Sequence, residues 1–206
     1  MLPADITTYF SRPADKFLFQ RWDAPIVPQV FGTAAPDPAL ILTAMKKVAA
    51  ISGHDLVTSP SGAGMNCTIW FVKEWTDIMK LPGTEMLLGS LGVIVKLLSK
   101  KKGNMQRSID TDPKTGAISR MVVTIRRAGP WAEWSDEHIA LRLAVQTHLR
   151  WGYGKTLPAL LVKDADGSWS IAPAVEQILK VAYDPSLPLR SEDPALADKL
   201  ADLTAA

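Results

Sequence analysis

The stretch from Ser135 to Gly152 constrains this chain more than any other. Ser135 is a good N-cap, because its hydroxyl can accept from an unpaired first-turn amide, and Asp136 and Glu137 follow where the helix dipole favours negative charge. Arg142, Gln146 and Arg150 recur every four positions and form one narrow polar stripe. Ile139, Ala140, Leu141, Leu143, Ala144, Val145 and Leu149 cover most of the remaining circumference. A helix apolar over so much of its surface must be buried, so the rest of the chain has to cover it. Gly152 and Gly154 supply residues able to take positive φ and Pro158 blocks continuation, which predicts the stop.

His148 falls on the apolar side of this helix, roughly opposite the polar stripe. A zinc peptidase helix carries His-Glu-x-x-His, two imidazoles one turn apart with a carboxylate to activate water. Aligning the second histidine on His148 puts Ala144 and Val145 where the first ligand and the base would stand. Neither side chain can bind a metal or move a proton. The expectation is therefore a hydrogen-bonded structural histidine, no catalytic residue, no metal and no cofactor.

The 206 residues suffice for one substantial core, and length favours a single domain over 1–206. A net charge of +2 does not argue for nucleic acid, which is not an expected partner. One cysteine, Cys67, excludes an intramolecular disulfide and a thiolate zinc site, and reads as a small core residue. No basic stretch leads into an apolar one near Met1, so no signal peptide is expected here, and no apolar run has the length of a transmembrane helix.

Residues 1–16 carry two prolines and read as an arm ordered only by docking. The run from Pro25 to Gly32 has strand-forming residues, and Pro28 favours an edge position because it cannot donate to a ladder. Asp37 and Pro38 start an amphipathic helix that Gly53 ends. Asn66 to Lys73 predicts an interior strand, and Ser119 to Arg127 a second. In the second, Met121, Val123 and Ile125 alternate with Val122, Thr124 and Arg126, as in a sheet with one face on the core. Leu160–Val162 and Ser168–Ile171 flank a turn and suggest a hairpin. Helices at Pro173–Tyr183 and Pro194–Leu203 close the chain. The expected fold class is α+β, with a mixed or mostly antiparallel sheet packed on helices.

Between the two strands, Met86 to Leu98 is almost wholly apolar and Lys100, Lys101 and Lys102 follow at once. At about 1.5 Å per residue it is too short to cross a bilayer. One reading is a helix packed on the sheet with a solvated lysine end. The other is an interfacial or docking helix, since apolar surface flanked by lysines suits an anionic headgroup layer or a protein groove. On that reading Leu87, Leu88, Leu91, Ile94, Leu98, Lys100, Lys101 and Lys102 make the contact.

Other motifs fall short. Gly152-Tyr-Gly-Lys-Thr156 resembles the end of a phosphate-binding loop, but Leu149 replaces the required glycine and a helix precedes it instead of a strand. Asp164-Ala-Asp-Gly167 has no glutamate at calcium-loop distance and reads as a turn. His54 and His138 are isolated. Arg120, Arg126 and Arg127 read either as a basic sheet face or as an ordinary solvated strand edge. The tryptophans near the central helix, Trp131, Trp134 and Trp151, read as packing.

Phe17 to Gly32, Ser52-Gly-His-Asp-Leu56, the strand ending in Phe71-Val72 and Ile171 to Leu187 together resemble a proteobacterial domain family of unknown function whose members include exported lipoproteins. Within them, Trp22-x-x-Pro25 and Leu179-x-x-x-Tyr183-Asp-Pro-x-Leu187 are the most specific. The resemblance implies an α+β fold similar to the zincin peptidases, with Ala144, Val145 and His148 as degenerate motif positions. It also implies a periplasmic or cell-envelope location, the alternative being cytoplasm, and makes residues 84–103 an insertion. No cysteine near the start is available for a lipid. The expected role is a non-catalytic accessory or scaffold protein that binds a partner protein or membrane-associated complex, with peripheral contact to an anionic membrane surface. The alternative is a metal-dependent hydrolase using His148 with Glu133 or Asp136.

Overall fold

The computed structural model describes residues 1–205 except 13, 15, 33–35, 81–90, 102, 103, 129 and 153–157; at 80, 91–94, 101 and 130 it describes the backbone alone. The strands are β1 (Ser11–Arg12), β2 (Lys16–Phe17), β3 (Phe19–Gln20), β4 (Pro28–Phe31), β5 (Cys67–Val72), β6 (Met105–Thr111), β7 (Ile118–Arg126), β8 (Leu161–Lys163), β9 (Trp169–Ile171) and β10 (Arg190–Ser191). The helices are Pro3–Phe10, Pro38–Ser52, Leu91–Lys101, a short turn at Pro130–Glu133, the central helix Asp136–His148, Pro173–Val181 and Leu196–Ala205. The fold is mixed α+β, as expected.

The main sheet has the order β4-β5-β7-β6. Its β4–β5 and β5–β7 pairings are parallel, and β6 joins β7 antiparallel. Both parallel connections carry helices, which is what parallel pairing requires. The other three two-stranded sheets, β1–β2, β3–β10 and β8–β9, are antiparallel. β4 lies at one edge, where Pro28 lacks a ladder partner for its missing N–H. β5 is interior and buried along its whole length.

Period-two alternation sorts the sheet into two faces. On the inner face Cys67, Ile69, Phe71, Met121, Val123 and Ile125 join the main core with the Pro38–Ser52 and central helices. On the outer face Trp70, Val72 and Val122 form a second cluster with Trp75, Ile78, Val95 and Leu98. The expectation that β7 has one face on the core is therefore corrected: Val122 and Thr124 are buried too, under the segment that follows β5. The strand β6 was not anticipated at all. Its sequence, Met-Gln-Arg-Ser-Ile-Asp-Thr, is polar, and every residue in it is half-buried.

The N-terminal segment, expected to be ordered only by docking, carries a helix packed on its own chain. Pro3–Phe10 is helical, buries Ile6, Tyr9 and Phe10, and packs on the Leu196–Ala205 helix. Phe10 stacks on Trp151 with ring centroids 5.7 Å apart. The segment does order by docking, but its partner is its own chain.

The helix caps follow the sequence closely at three of four ends. Asp37 accepts from the Ala39 amide, Pro38 stands at the first turn, and Gly53 closes that helix at φ 67°. Ser135 accepts from the His138 amide. The central helix, however, ends at His148 and not at Gly152, and Leu149 continues in extended conformation. Gly152 serves a different purpose: a Cβ there would lie 2.1 Å from the Ser11 carbonyl oxygen, so only glycine lets the two backbones touch. Gly154 lies outside the described residues.

Candidate functional site

The central helix is buried at every position from His138 to Leu149 except Arg142. Arg142, half-exposed, sits over Trp131 and Trp134, 5.8 and 5.1 Å from their ring centroids. These tryptophans pack as expected. A helix end leaves its last carbonyls without partners, and a buried end must find them elsewhere. Here side chains supply all of them. His148 Nδ1 lies 2.7 Å from the Ala144 carbonyl, which fixes Nδ1 as the protonated nitrogen because a carbonyl can only accept. Trp151 Nε1 donates to the Val145 carbonyl at 2.7 Å, Arg107 Nη1 to Gln146 at 3.4 Å, and Trp22 Nε1 to Thr147 at 2.8 Å. The Tyr183 hydroxyl donates to the His148 carbonyl.

Trp22, Tyr183, His54 and Arg21 thus converge on one spot. Trp22 and Tyr183 cap the helix directly. His54 stacks on Tyr183, 4.2 Å between centroids, with its Nε2 3.1 Å from the Ala24 carbonyl. Arg21 donates to the carbonyls of Leu187 and Pro188 at 2.8 and 3.3 Å and lies over the Tyr183 ring. These four side chains tie the β3 region, the end of the Pro38–Ser52 helix and the loop before β10 to the end of the central helix.

His148 is fully buried, and its Nε2 has no hydrogen-bond partner among the described residues. Burial pushes its pKa down to about 4, with the nearby His54 adding to the effect and the Ala144 bond opposing it. The ring is neutral at physiological pH. Ala144 and Val145 are both fully buried. Glu133 and Asp136, the carboxylates considered as co-ligands, lie at the other end of the helix. Twelve residues separate Asp136 from His148, about 18 Å along the axis, and Asp136 pairs with Arg127 at 2.7 Å. No group of three His, Cys, Asp or Glu side chains that could hold a metal is assembled among the described residues. Burial raises the Cys67 thiol to about 12, so it stays protonated and inert in the core.

The basic sheet face is not assembled either. Arg120 Nε donates to Asp110 at 2.7 Å, Arg126 reaches Glu74 at 3.4 Å, and Arg127 is held by Asp136. Each of these cations has its own carboxylate.

The apolar and lysine-rich segment is helical over Leu91–Lys101. Val95 and Leu98 insert into the outer-face cluster against Trp70, Val72, Trp75 and Val122. Leu98, expected on the docking surface, is 8% exposed and is covered by its own sheet. Lys96, Leu97, Ser99 and Lys100 face solvent, and Leu97 is 51% exposed, though it was not singled out in the sequence. The spacing could have identified it: 95 and 98 share a face, and 97 lies about 130° from their mean direction. Leu91, Ile94 and Lys101 are placed in the helix by their backbone, and Leu87, Leu88 and Lys102 lie outside the described residues, as does most of the Gly152–Thr156 motif. Among the described residues no helix is long and apolar enough to cross a membrane. Comparison of the chain with protein-family models, with curated proteins and with solved structures finds no match.

Proposed function

We propose that this chain is a non-catalytic accessory or scaffold protein of the cell envelope that docks on a partner protein or membrane-associated complex through its Leu91–Lys101 helix. The observation that carries the reading is the outward row Lys96, Leu97 and Lys100 on a helix whose opposite face is seated on the sheet. An exposed leucine between two lysines suits an acidic groove or an anionic headgroup layer. The state of His148 supports the non-catalytic part: its donor nitrogen is spent on the chain's own backbone and its ring is dehydrated. A helix and sheet arrangement with two helices on one face of a mixed sheet supports a degenerate zincin-like scaffold, and the envelope location rests on the family resemblance.

The test is capture of partners from native membranes by the full chain, beside the variant Lys96→Gln/Leu97→Ser/Lys100→Gln. Leu98 is a poor choice for this test, since its loss would damage the outer core. Loss of association with an unchanged melting temperature is the expected result. Undiminished association of the triple variant would sink the reading.

A further inference from the structure

We propose that the cleft between the start of the central helix and the β8–β9 hairpin binds a neutral sugar. Its wall is a stack of rings drawn from two separate stretches of chain. Trp131 lies against Trp134 with centroids 4.7 Å apart, Trp134 stacks on His138 at 4.3 Å, and His138 meets Trp169 at 3.9 Å. The first three rings come from the short turn at Pro130–Glu133 and the start of the central helix, and the fourth from β9, which packs on that helix. The helix cap holds His138 in place, its amide donating to Ser135 Oγ at 3.2 Å. Trp169 ends the stack half-buried, and among the described residues its ring contact is with His138 alone. Trp134, His138 and Trp169 line a cleft of about 540 Å³, within the range of small-molecule sites and large enough for roughly one or two sugar rings.

The polar groups around these rings select the ligand. Glu133, Glu137 and Lys163 stand exposed on the same cleft. Lys163 is the cross-strand partner of Trp169, which sets its side chain beside the indole. An anion would meet the two carboxylates. A cation would meet Lys163, and the cation–π position on the indoles is already filled by Arg142, 5.8 and 5.1 Å from the Trp131 and Trp134 centroids. Burial first and the Arg142 guanidinium second hold the His138 pKa below its usual value, so the ring adds no charge at neutral pH. Its Nδ1 is buried and has no hydrogen-bond partner among the described residues. A neutral polyhydroxylated ligand uses all of this: its hydroxyls donate to the carboxylates and accept from the ammonium, and the C–H face of its ring lies on an indole. Rings already stacked before the ligand arrives lower the entropy lost on binding. This cleft is separate from the Leu91–Lys101 helix and does not depend on the docking role assigned to it.

An NMR titration of the nitrogen-15-labelled full chain with cellobiose and with chitobiose, beside choline and citrate as charged controls, tests this. At least one disaccharide is expected to move the indole N–H signals of Trp134 and Trp169 and to leave those of Trp22 and Trp151, with a Kd of about 1 mM or tighter. Choline and citrate should move neither. Trp169→Ala should weaken binding about tenfold or more, and Glu137→Gln/Lys163→Ala about threefold or more, while Lys96→Gln/Lys100→Gln leaves it unchanged. Should Trp169→Ala fail to fold, Glu137→Gln/Lys163→Ala decides, since both of its positions are exposed. No shift from either disaccharide up to about 20 mM, tighter binding of choline or citrate, or undiminished binding in Glu137→Gln/Lys163→Ala overturns the assignment.

Discussion

Two helices of this chain look alike as strings of apolar residues and behave oppositely. The central helix Asp136–His148 is buried from His138 onward except at Arg142, whereas Leu91–Lys101 is seated on one side, with Val95 and Leu98 inside and Lys96, Leu97 and Lys100 outside. The difference lies in what their polar groups do. In the central helix Gln146 is buried, Arg142 lies over two indole rings, and the last carbonyls are taken by side chains from distant segments. In the other helix Lys96 and Lys100 stay in water. Apolar content alone therefore does not say how deeply a helix is buried; the partners of its backbone ends and polar side chains do.

The contrast can be broken most severely at Ala144. Changing Ala144→Glu buries an uncompensated charge in a fully packed site. The loss expected is about 4 kcal/mol or more, read as failure to fold or a collapsed denaturation midpoint, while Lys96→Glu leaves the midpoint unchanged within about 0.5 kcal/mol. Equal effects at the two sites would erase the distinction.

A pH titration sharpens it. The folded pKa of His148, about 4, lies below its ordinary value of 6.5. The unfolded chain therefore binds the proton more readily, and stability is lost as pH falls from about 6.5 towards 4. Full expression of that shift amounts to about 3 kcal/mol, and His148→Leu should flatten this part of the stability profile. An identical acid slope in the variant would assign the loss to other groups.

The smallest effects belong to the lysine-rich helix. Leu98→Ala should cost about 2 kcal/mol by opening space in the outer cluster, and Leu97→Ala, one residue away, less than about 0.5 kcal/mol. Urea midpoints of the pair measure the difference directly, and a reversed order would place the wrong face of this helix on the sheet.

Legibility in the sequence followed the range of the interactions involved. The Asp37–Pro38 start and Gly53 stop, the Ser135 cap and the buried strand Cys67–Val72 depend on neighbours within a few residues, and all could be read. The β6 strand could not, because its polar residues gain their place from pairing with β7. The Pro3–Phe10 helix, too short to be stable alone, exists by packing Phe10 on Trp151. At the candidate sites, the inability of Ala144 and Val145 to react was plain from their side chains.

By itself, then, the sequence determined where the buried helix begins, which strands run through the interior, and that position 148 carries an imidazole without ligating neighbours on its own helix. Tertiary structure decided where that helix ends, because its final carbonyls are satisfied by Trp22, Trp151, Arg107 and Tyr183 instead of by a glycine cap. The physical reason is one of reach: propensity and capping act over a turn or two, while the desolvation of a buried carbonyl can be offset by any donor that folding brings alongside it.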